Sequence, residues 1–127
     1  MSGTKNERFV AVIDNEQSMR EALESLLRSA GYRAEGFASA DALLSCSHLG
    51  SIDCLVLDIG LPGMDGFQLQ QRLCSLNVRT PIIFISATVD SQGSRLEQAM
   101  QAGAAAFLRK PFAAQALLDA VEAALPD

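Results

Sequence analysis

The chain has 127 residues, of which 49% are hydrophobic and 20% are charged, and its formal net charge is −5. That length and apolar content predict one folded domain with a hydrophobic core and exclude an intrinsically disordered chain. The sequence has no run of basic residues, which argues against direct contact with nucleic acid. No apolar stretch approaches the roughly 20 residues that cross a bilayer, so we expect no membrane segment.

The first eight residues are polar and lack the apolar core of a signal peptide, which predicts a cytoplasmic location. We expect residues 1–8 to form a flexible tail and residues 9–125 to form the domain. Residues 126–127 are either the end of the protein or the start of a linker.

The first half of the domain alternates between strand and helix signals. The apolar run at 9–13 predicts a first strand, and apolar residues at helical spacing over 18–30 predict a first helix. The short alternating segment 33–37 predicts a second strand. Ser39 is a suitable N-cap for a second helix that runs to about residue 46.

The second half repeats this alternation three times. It predicts strands over 53–57, 82–85 and 105–108, and helices over 67–76, 93–102 and 113–125. Strands that alternate with helices pair in parallel through right-handed crossovers. The sequence therefore predicts an α/β fold, a doubly wound five-stranded parallel sheet with helices on both faces.

Polar side chains follow four of the predicted strands. They lie in the segments 14–16, 58, 86–88 and 109–111. Because the carboxyl ends of parallel strands meet at one edge of a sheet, we expect these segments to converge there.

The converging side chains suit a specific chemistry. Asp14 and Asp58 would repel each other unless a cation intervened, and carboxylate oxygens are ligands that Mg²⁺ prefers. The ammonium of Lys110 can hold an anionic group as a point charge. A carboxylate nucleophile, a metal and a lysine are the parts that phosphoryl transfer onto an aspartate requires.

Five motifs in this order carry a family resemblance. They are Val12-Ile13-Asp14-Asn15-Glu16, Leu57-Asp58 with Leu61-Pro62-Gly63-Met64-Asp65-Gly66, Ile85-Ser86-Ala87, Gly103-Ala104, and Lys110-Pro111-Phe112. Together they resemble the receiver domain of two-component response regulators, over essentially all of residues 9–125. The resemblance implies a flavodoxin-like sheet with the strand order 2-1-3-4-5.

The resemblance also implies roles for individual residues. Asp58 corresponds to the phosphoacceptor, Lys110 to the lysine that pairs with the phosphoryl group, and Ser86 to the switch hydroxyl. Phe107 corresponds to the aromatic residue that changes rotamer on activation. The implied ligands of Mg²⁺ are Asp14, Asp58 and the backbone carbonyl of Gly60. The peptide bond between Lys110 and Pro111 is expected to be cis, which is least costly before proline.

Three positions depart from the family pattern. Asn15 stands at the second acidic position, so we expect weaker metal binding, with Asn15 itself or Glu16 as a further ligand. Gly60 leaves the position two residues after Asp58 without a side chain, which could open a phosphoryl group to water or to a partner. Phe107 has no hydroxyl, so any switch there works by packing, and packing in the core alone is an equal alternative.

The leading hypothesis is a signalling switch phosphorylated on Asp58 by a histidine kinase or a phosphotransfer protein, and not an enzyme in the usual sense. Its activation would favour a homodimer through the fourth helix, fifth strand and fifth helix. Because of Asn15, an alternative is a degenerate receiver that binds a partner without phosphate control. A phosphatase with Asp58 as nucleophile is a third hypothesis, but such enzymes need a second acid where Gly60 stands.

A few other residues receive structural interpretations. The three cysteines, Cys46, Cys54 and Cys74, lack metal spacing and are expected to be buried or half-buried thiols. His48 is expected on the surface. The third helix is expected to bury one main face, formed by Phe67, Leu69, Leu73 and Leu76.

Overall fold

The computed structural model describes residues 8–61, 63–86 and 94–125, with only the backbone described for 94–96. Five strands alternate with five helices. The strands are β1 (Phe9–Ile13), β2 (Arg33–Phe37), β3 (Cys54–Asp58), β4 (Ile82–Ser86) and β5 (Ala106–Arg109). The helices are α1 (Gln17–Ser29), α2 (Ala40–Leu44), α3 (Gly66–Ser75), α4 (Ser94–Gln101) and α5 (Ala114–Ala124), with a 3₁₀ turn at Leu49–Ser51.

The five strands form one parallel sheet in the order β2-β1-β3-β4-β5, which confirms the predicted topology. The register aligns the carboxyl ends of neighbouring strands. Ile13 pairs with Leu57, Ile85 pairs with Asp58, and Ser86 pairs with Arg109. The residues at these strand ends therefore share one edge of the sheet.

The core has two halves, one on each face of the sheet. Because side chains alternate along a strand, the odd-numbered residues of β1 face α2, α3 and α4, whereas its even-numbered residues face α1 and α5. Both faces of β1, β3 and β4 are buried, which explains why these strands are apolar throughout. Each fully buried leucine or isoleucine contributes about 1.5–3 kcal/mol through burial.

Polar caps define the beginnings of two helices. The side chain of Ser39 accepts a hydrogen bond from the backbone N–H of Ala42 at 3.1 Å, which confirms the predicted N-cap. Asp65 forms a capping box with Gln68, in which each side chain accepts a hydrogen bond from the other's backbone N–H at 2.9 Å. Asp65 therefore fixes where α3 begins.

The end of α3 corrects two predictions. Leu76 was expected on the buried face, but it is 51% exposed. The helix ends at Ser75, and Asn77 takes a positive φ of 63° that turns the chain back, so that the N–H of Val78 bonds to the Leu73 carbonyl. Val78 packs against the core, and Leu76 is left outside it.

The cysteines are not all sheltered. Cys54 is buried in β3 and Cys46 is half-buried, but Cys74 is exposed, which contradicts the prediction for that residue. Cys74 lies one residue after the buried Leu73 on α3, so the helical rotation carries its side chain to the outer face.

Several predicted boundaries shift by a residue or two. The third strand begins at Cys54 instead of residue 53. The Asp53 carboxylate, just before it, accepts the backbone N–H of Phe9 at 2.7 Å. The second helix ends at Leu44 instead of about residue 46. The tail proposed for residues 1–8 lies outside the described residues except for Arg8, as do residues 126–127. No helix among the described residues is long and apolar enough to cross a membrane.

Cys54 carries a titratable thiol inside the core. It lies at the start of β3 with none of its surface exposed. Burial, reinforced by the negative charge of Asp53, raises the pKa of the Cys54 thiol to about 12. The folded protein therefore keeps this thiol neutral at pH values where an unfolded cysteine ionises.

We predict that Cys54 makes the protein less stable in alkali. An unfolded cysteine has a pKa of about 8.5. Cys54 therefore leaves the free energy of unfolding unchanged below that pH and lowers it as the pH rises from there toward 12. Between about pH 7.5 and about pH 9.5, the free energy of unfolding of the wild type should fall about 1.4 kcal/mol further than that of Cys54→Ala. Urea titrations with a reductant present measure this, and equal losses in both proteins would contradict it.

Candidate functional site at the carboxyl edge of the sheet

Three polar residues are buried where the central strands end. Asp14 follows β1, Asp58 is the last residue of β3, and Ser86 is the last residue of β4. They are 0%, 7% and 2% exposed, respectively. Each lies at the end of a strand that is apolar throughout, and such strands are buried on both faces in the middle of the sheet. The sequence thus places two carboxylates and a hydroxyl in a protein-walled recess.

Lys110 joins the two carboxylates. It follows β5, and its Nζ lies 2.8 Å from Oδ2 of Asp14 and 3.5 Å from Oδ2 of Asp58. The backbone N–H of Lys110 also donates to the Ser86 carbonyl at 2.8 Å, which continues the ladder between β4 and β5 past the last strand residue. The peptide bond between Lys110 and Pro111 is cis, as predicted. One ammonium, which comes from the end of β5, therefore contacts both acids.

The electrostatics of the site favour this charged arrangement. Burial of the Lys110 ammonium acts to lower its pKa, but the hydrogen bond to Asp14 and the negative charge of Asp58 more than offset that effect. The pKa of Lys110 is therefore raised above its ordinary value. The lysine remains a cation across the whole physiological range.

Each carboxylate is oriented by a second contact with the backbone. Oδ1 of Asp14 accepts the N–H of Glu16 at 2.9 Å, and Oδ1 of Asp58 accepts the N–H of Gly60 at 3.0 Å. Hydrogen bonds to an ionised acceptor are stronger than those between neutral groups. Because both oxygens of each acid are engaged, neither carboxylate rotates freely.

The loop after Asp58 is anchored to α3. Ile59 is fully buried, and its carbonyl accepts the N–H of Gly66 at 3.1 Å. A Cβ at Gly66 would lie only 2.9 Å from the Cα of Ile59, so only glycine permits this close approach. Between these two anchors Gly60 is exposed beside Asp58.

The residues present fit a magnesium ion. Among residues 8–61, 63–86 and 94–125, no three histidine, cysteine, aspartate or glutamate side chains are grouped closely enough to hold a metal. Magnesium does not require three, because it commonly takes one or two carboxylates and keeps several waters. Asp14 and Asp58 would supply the two carboxylates, since they lie close enough for one ammonium to contact both.

The structure brings together most, but not all, of the predicted site residues. Lys110 contacts both Asp14 and Asp58, and Ser86 adjoins Lys110 through its carbonyl. By contrast, Asn15 and Glu16 are exposed. Glu16 reaches the site through its backbone N–H, which donates to Oδ1 of Asp14.

The predicted switch position lies farther from the acids. Phe107 is half-buried, pairs in register with Phe84, and packs against the core beneath α2, α3 and α4. Ala87 and Thr88, which follow the predicted switch hydroxyl, lie outside the described residues, as does Pro62.

One residue at the site was not anticipated. Arg20 of α1 donates from Nη1 to the backbone carbonyl of Asp14 at 2.8 Å. Its position in the sequence, six residues after Asp14 on a helix that starts beside the site, is the only signal that could have identified it. Charge spacing of this kind is common on exposed helices and predicts no site contact by itself.

Comparison with known proteins identifies the family that the chain resembles. A family model described as the response regulator receiver domain matches residues 10–122. The chain is 44% identical over 116 residues to nodulation protein W of Bradyrhizobium diazoefficiens, which covers 91% of this chain and 50% of that protein. It is 44% identical over 126 residues to the transcriptional regulatory protein TdiR of Thauera aromatica, which covers 96% of this chain and 53% of that protein.

A solved structure supports the same match. The response regulator StyR superposes with a TM-score of 0.82 at 43% identity, over 94% of this chain and 59% of that chain. The chain spans about half the length of the curated relatives it matches.

We predict that Gly66→Ala destabilises the protein, although alanine is ordinarily the better residue in a helix. The added methyl group would meet backbone at Ile59, which cannot move aside cheaply, so the free energy of unfolding should fall by about 1–3 kcal/mol. Gly50→Ala is the matched control, because a Cβ at Gly50 meets nothing within 4 Å. Urea unfolding of both variants measures the difference, and equal stabilities would show that the loop adapts.

Proposed function

The chain belongs to the response regulator receiver domain family, and from this we propose that it is a phosphorylation-dependent signalling switch. It accepts a phosphoryl group on Asp58 from a histidine kinase or a phosphotransfer protein. The observation that carries this proposal is the contact of one lysine ammonium with two buried carboxylates at the carboxyl edge of the sheet. Because the chain spans only about half the length of its relatives, we make no proposal for the output that follows phosphorylation.

The proposed transfer uses Asp58 as the nucleophile. One of its oxygens forms a bond to phosphorus while the bond from phosphorus to the donor nitrogen breaks, and that nitrogen keeps the electron pair. The Gly60 N–H holds Oδ1 of Asp58, which leaves Oδ2, beside Lys110, to attack. In the product, the Lys110 ammonium exchanges its contact with the attacking carboxylate for an oxygen of the phosphoryl group.

A magnesium ion would be held by Asp14, Asp58 and the carbonyl of Gly60, and it would neutralise charge on the phosphoryl oxygens when bound. Asp14 is suited to this role because it is wholly buried and fixed by both Lys110 and the Glu16 N–H. A rigid carboxylate loses little freedom when it binds a metal, so its contribution to affinity is larger.

The proposed response starts at Ser86, whose hydroxyl would bond the phosphoryl group. Ser86 closes β4 and pairs with Arg109 in β5, and Phe107 lies two residues earlier in that strand. A change at Ser86 would therefore reach β5 and the flanking helices directly. We infer a second arrangement of α4, β5 and α5, biased by phosphorylation, which favours a homodimer through that face.

The remaining features of the proposal follow from composition and from Gly60. The domain acts in the cytoplasm, makes no direct contact with nucleic acid, and is not an enzyme beyond its own phosphorylation. Nucleophilic phosphatases need a second acid two residues after the nucleophile, and Gly60 offers none. A degenerate receiver that binds a partner without phosphate is the competing function, and Asn15 is the observation that favours it.

We predict that Asp58 is the only residue that accepts phosphate. Wild-type protein incubated with Mg²⁺ and acetyl phosphate should gain the mass of one phosphoryl group, and Asp58→Ala should gain none. Asp119→Ala, which removes an exposed aspartate on α5, is the matched control and should be labelled like the wild type. Labelling of Asp58→Ala would overturn the assignment, and an unlabelled wild type would favour the degenerate receiver.

We also predict that Asn15→Asp binds Mg²⁺ roughly tenfold more tightly, because it adds one negative charge beside a dication. The same charge increases repulsion with Asp14 and Asp58, so the variant should be slightly less stable without metal. Magnesium titrations and thermal melts with and without the ion measure both effects.

Gln17→Glu is the charge-matched control for Asn15→Asp, since it adds the same charge at an exposed position two residues farther along the chain. It should change the affinity much less. If Asn15→Asp leaves the affinity unchanged, Asn15 does not adjoin the metal, and Glu16 becomes the next residue to test.

A further inference from the structure

Arg20 connects the first helix to the acidic end of β1. Its guanidinium donates to the Asp14 carbonyl at 2.8 Å, and its own backbone N–H donates to the Glu16 carbonyl at 2.9 Å. The side chain is half-buried. Together with the bond from the Glu16 N–H to Asp14, these contacts tie down both ends of the three-residue turn 14–16.

Gly36 makes room for this arginine. It lies in β2, in register with Val12 of β1, so it faces the segment that leads to Asp14. A Cβ built at Gly36 would lie 2.7 Å from Cγ and 2.9 Å from Cδ of Arg20, and 2.7 Å from Oε2 of Glu24. No real side chain tolerates such distances, so any residue larger than glycine would move the Arg20 stem. The stem of Arg20 therefore occupies the space that a side chain at Gly36 would fill.

We infer that Arg20, whose stem packs against Gly36, is a positioning residue for the proposed magnesium-binding turn 14–16. This inference rests on the proposed function, because it concerns the same metal site. Arg20 does not touch the carboxylate of Asp14. It holds the peptide carbonyl that leads into Asn15, and so fixes the direction from which residues 14–16 present their oxygens. Partners that orient metal ligands in this way commonly change metal affinity by about tenfold or more.

A positioning role and a simple charge effect predict opposite results. Arg20 is a cation near the site, so its charge alone would repel Mg²⁺, and its removal would tighten binding. If Arg20 positions the turn, its removal weakens binding in spite of that gain. Gly36→Ala separates the two effects, because its methyl group displaces the Arg20 stem and removes no charge, although it also meets Oε2 of Glu24.

The experiment measures Mg²⁺ affinity of the full chain by titration, together with urea unfolding without metal. The variants are Arg20→Met, which keeps the aliphatic stem, Arg20→Lys, which keeps the charge, and Gly36→Ala. Arg28→Met is the matched control. Arg28 of α1 also donates to a backbone carbonyl at 2.8 Å, but its acceptor is Ala34, near the start of β2 and away from the carboxyl edge of the sheet.

We expect Arg20→Met, Arg20→Lys and Gly36→Ala each to weaken Mg²⁺ binding by about tenfold. Arg28→Met should stay within about twofold of the wild type. The Mg²⁺ affinity of the double variant Gly36→Ala with Arg20→Met should be no lower than that of the single variant that binds Mg²⁺ more weakly, because both changes break the same interaction. Should Gly36→Ala fail to fold, the two Arg20 variants carry the test.

Three results would overturn the inference. One is tighter binding by Arg20→Met with unchanged binding by Arg20→Lys, which is a pure charge effect. Another is an equal loss in Arg28→Met, which indicates general loosening of α1 against β2. The third is unchanged affinity in all three variants. A wild type that binds no Mg²⁺ would overturn the proposed function as well, whereas normal wild-type binding with unaffected variants would overturn this inference alone.

Discussion

The arrangement of the site depends on one electrostatic constraint, the placement of two buried carboxylates beside each other. Asp14 and Asp58 come from neighbouring strands of a sheet whose register leaves no freedom to separate them. Two such anions are tolerable in a recess only with a cation between them, and Lys110 supplies it from the end of β5. An ion pair of this kind contributes little net stability after desolvation, so its value lies in the geometry it enforces.

The same constraint explains why the framework around the site is so rigid. Each acid stands at the end of a strand whose side chains are buried on both faces, and each has a backbone N–H on its other oxygen. The loop after Asp58 is pinned by a glycine that allows backbone to touch backbone. Rigid elements of this kind hold reacting groups in place without the entropic cost of ordering them at each event.

Much of this could be predicted from the sequence, because apolar runs and their polar ends are local signals. The order of elements, the shared edge and the contacts of Asp14, Asp58 and Lys110 all follow from them. Predictions were wrong where a helix end depended on a single residue in an unusual conformation. Asn77 redirects the chain, so Leu76, which periodicity places on the buried face, is exposed, and Val78 packs against the core instead.

The packing of Arg20 against Gly36 could not be predicted, for a different reason. The two residues belong to elements that are separate in the sequence, and the signal is an absent side chain, which leaves no pattern to detect. Similarly, Cys74 is exposed because α3 turns its face toward solvent one residue after Leu73, which composition alone does not show.

The bare backbone at Gly60 bears on how long a signal would last. A Cβ at this position would sit 3.6 Å from Oδ1 of Asp58, in ordinary contact and without strain, so a side chain here could shield the acid. With glycine, no side chain at this position would shield an acyl phosphate on Asp58 from water. Under the proposed function, this would shorten the life of the phosphorylated form, which would then follow the present activity of the kinase and keep little memory of earlier stimulation.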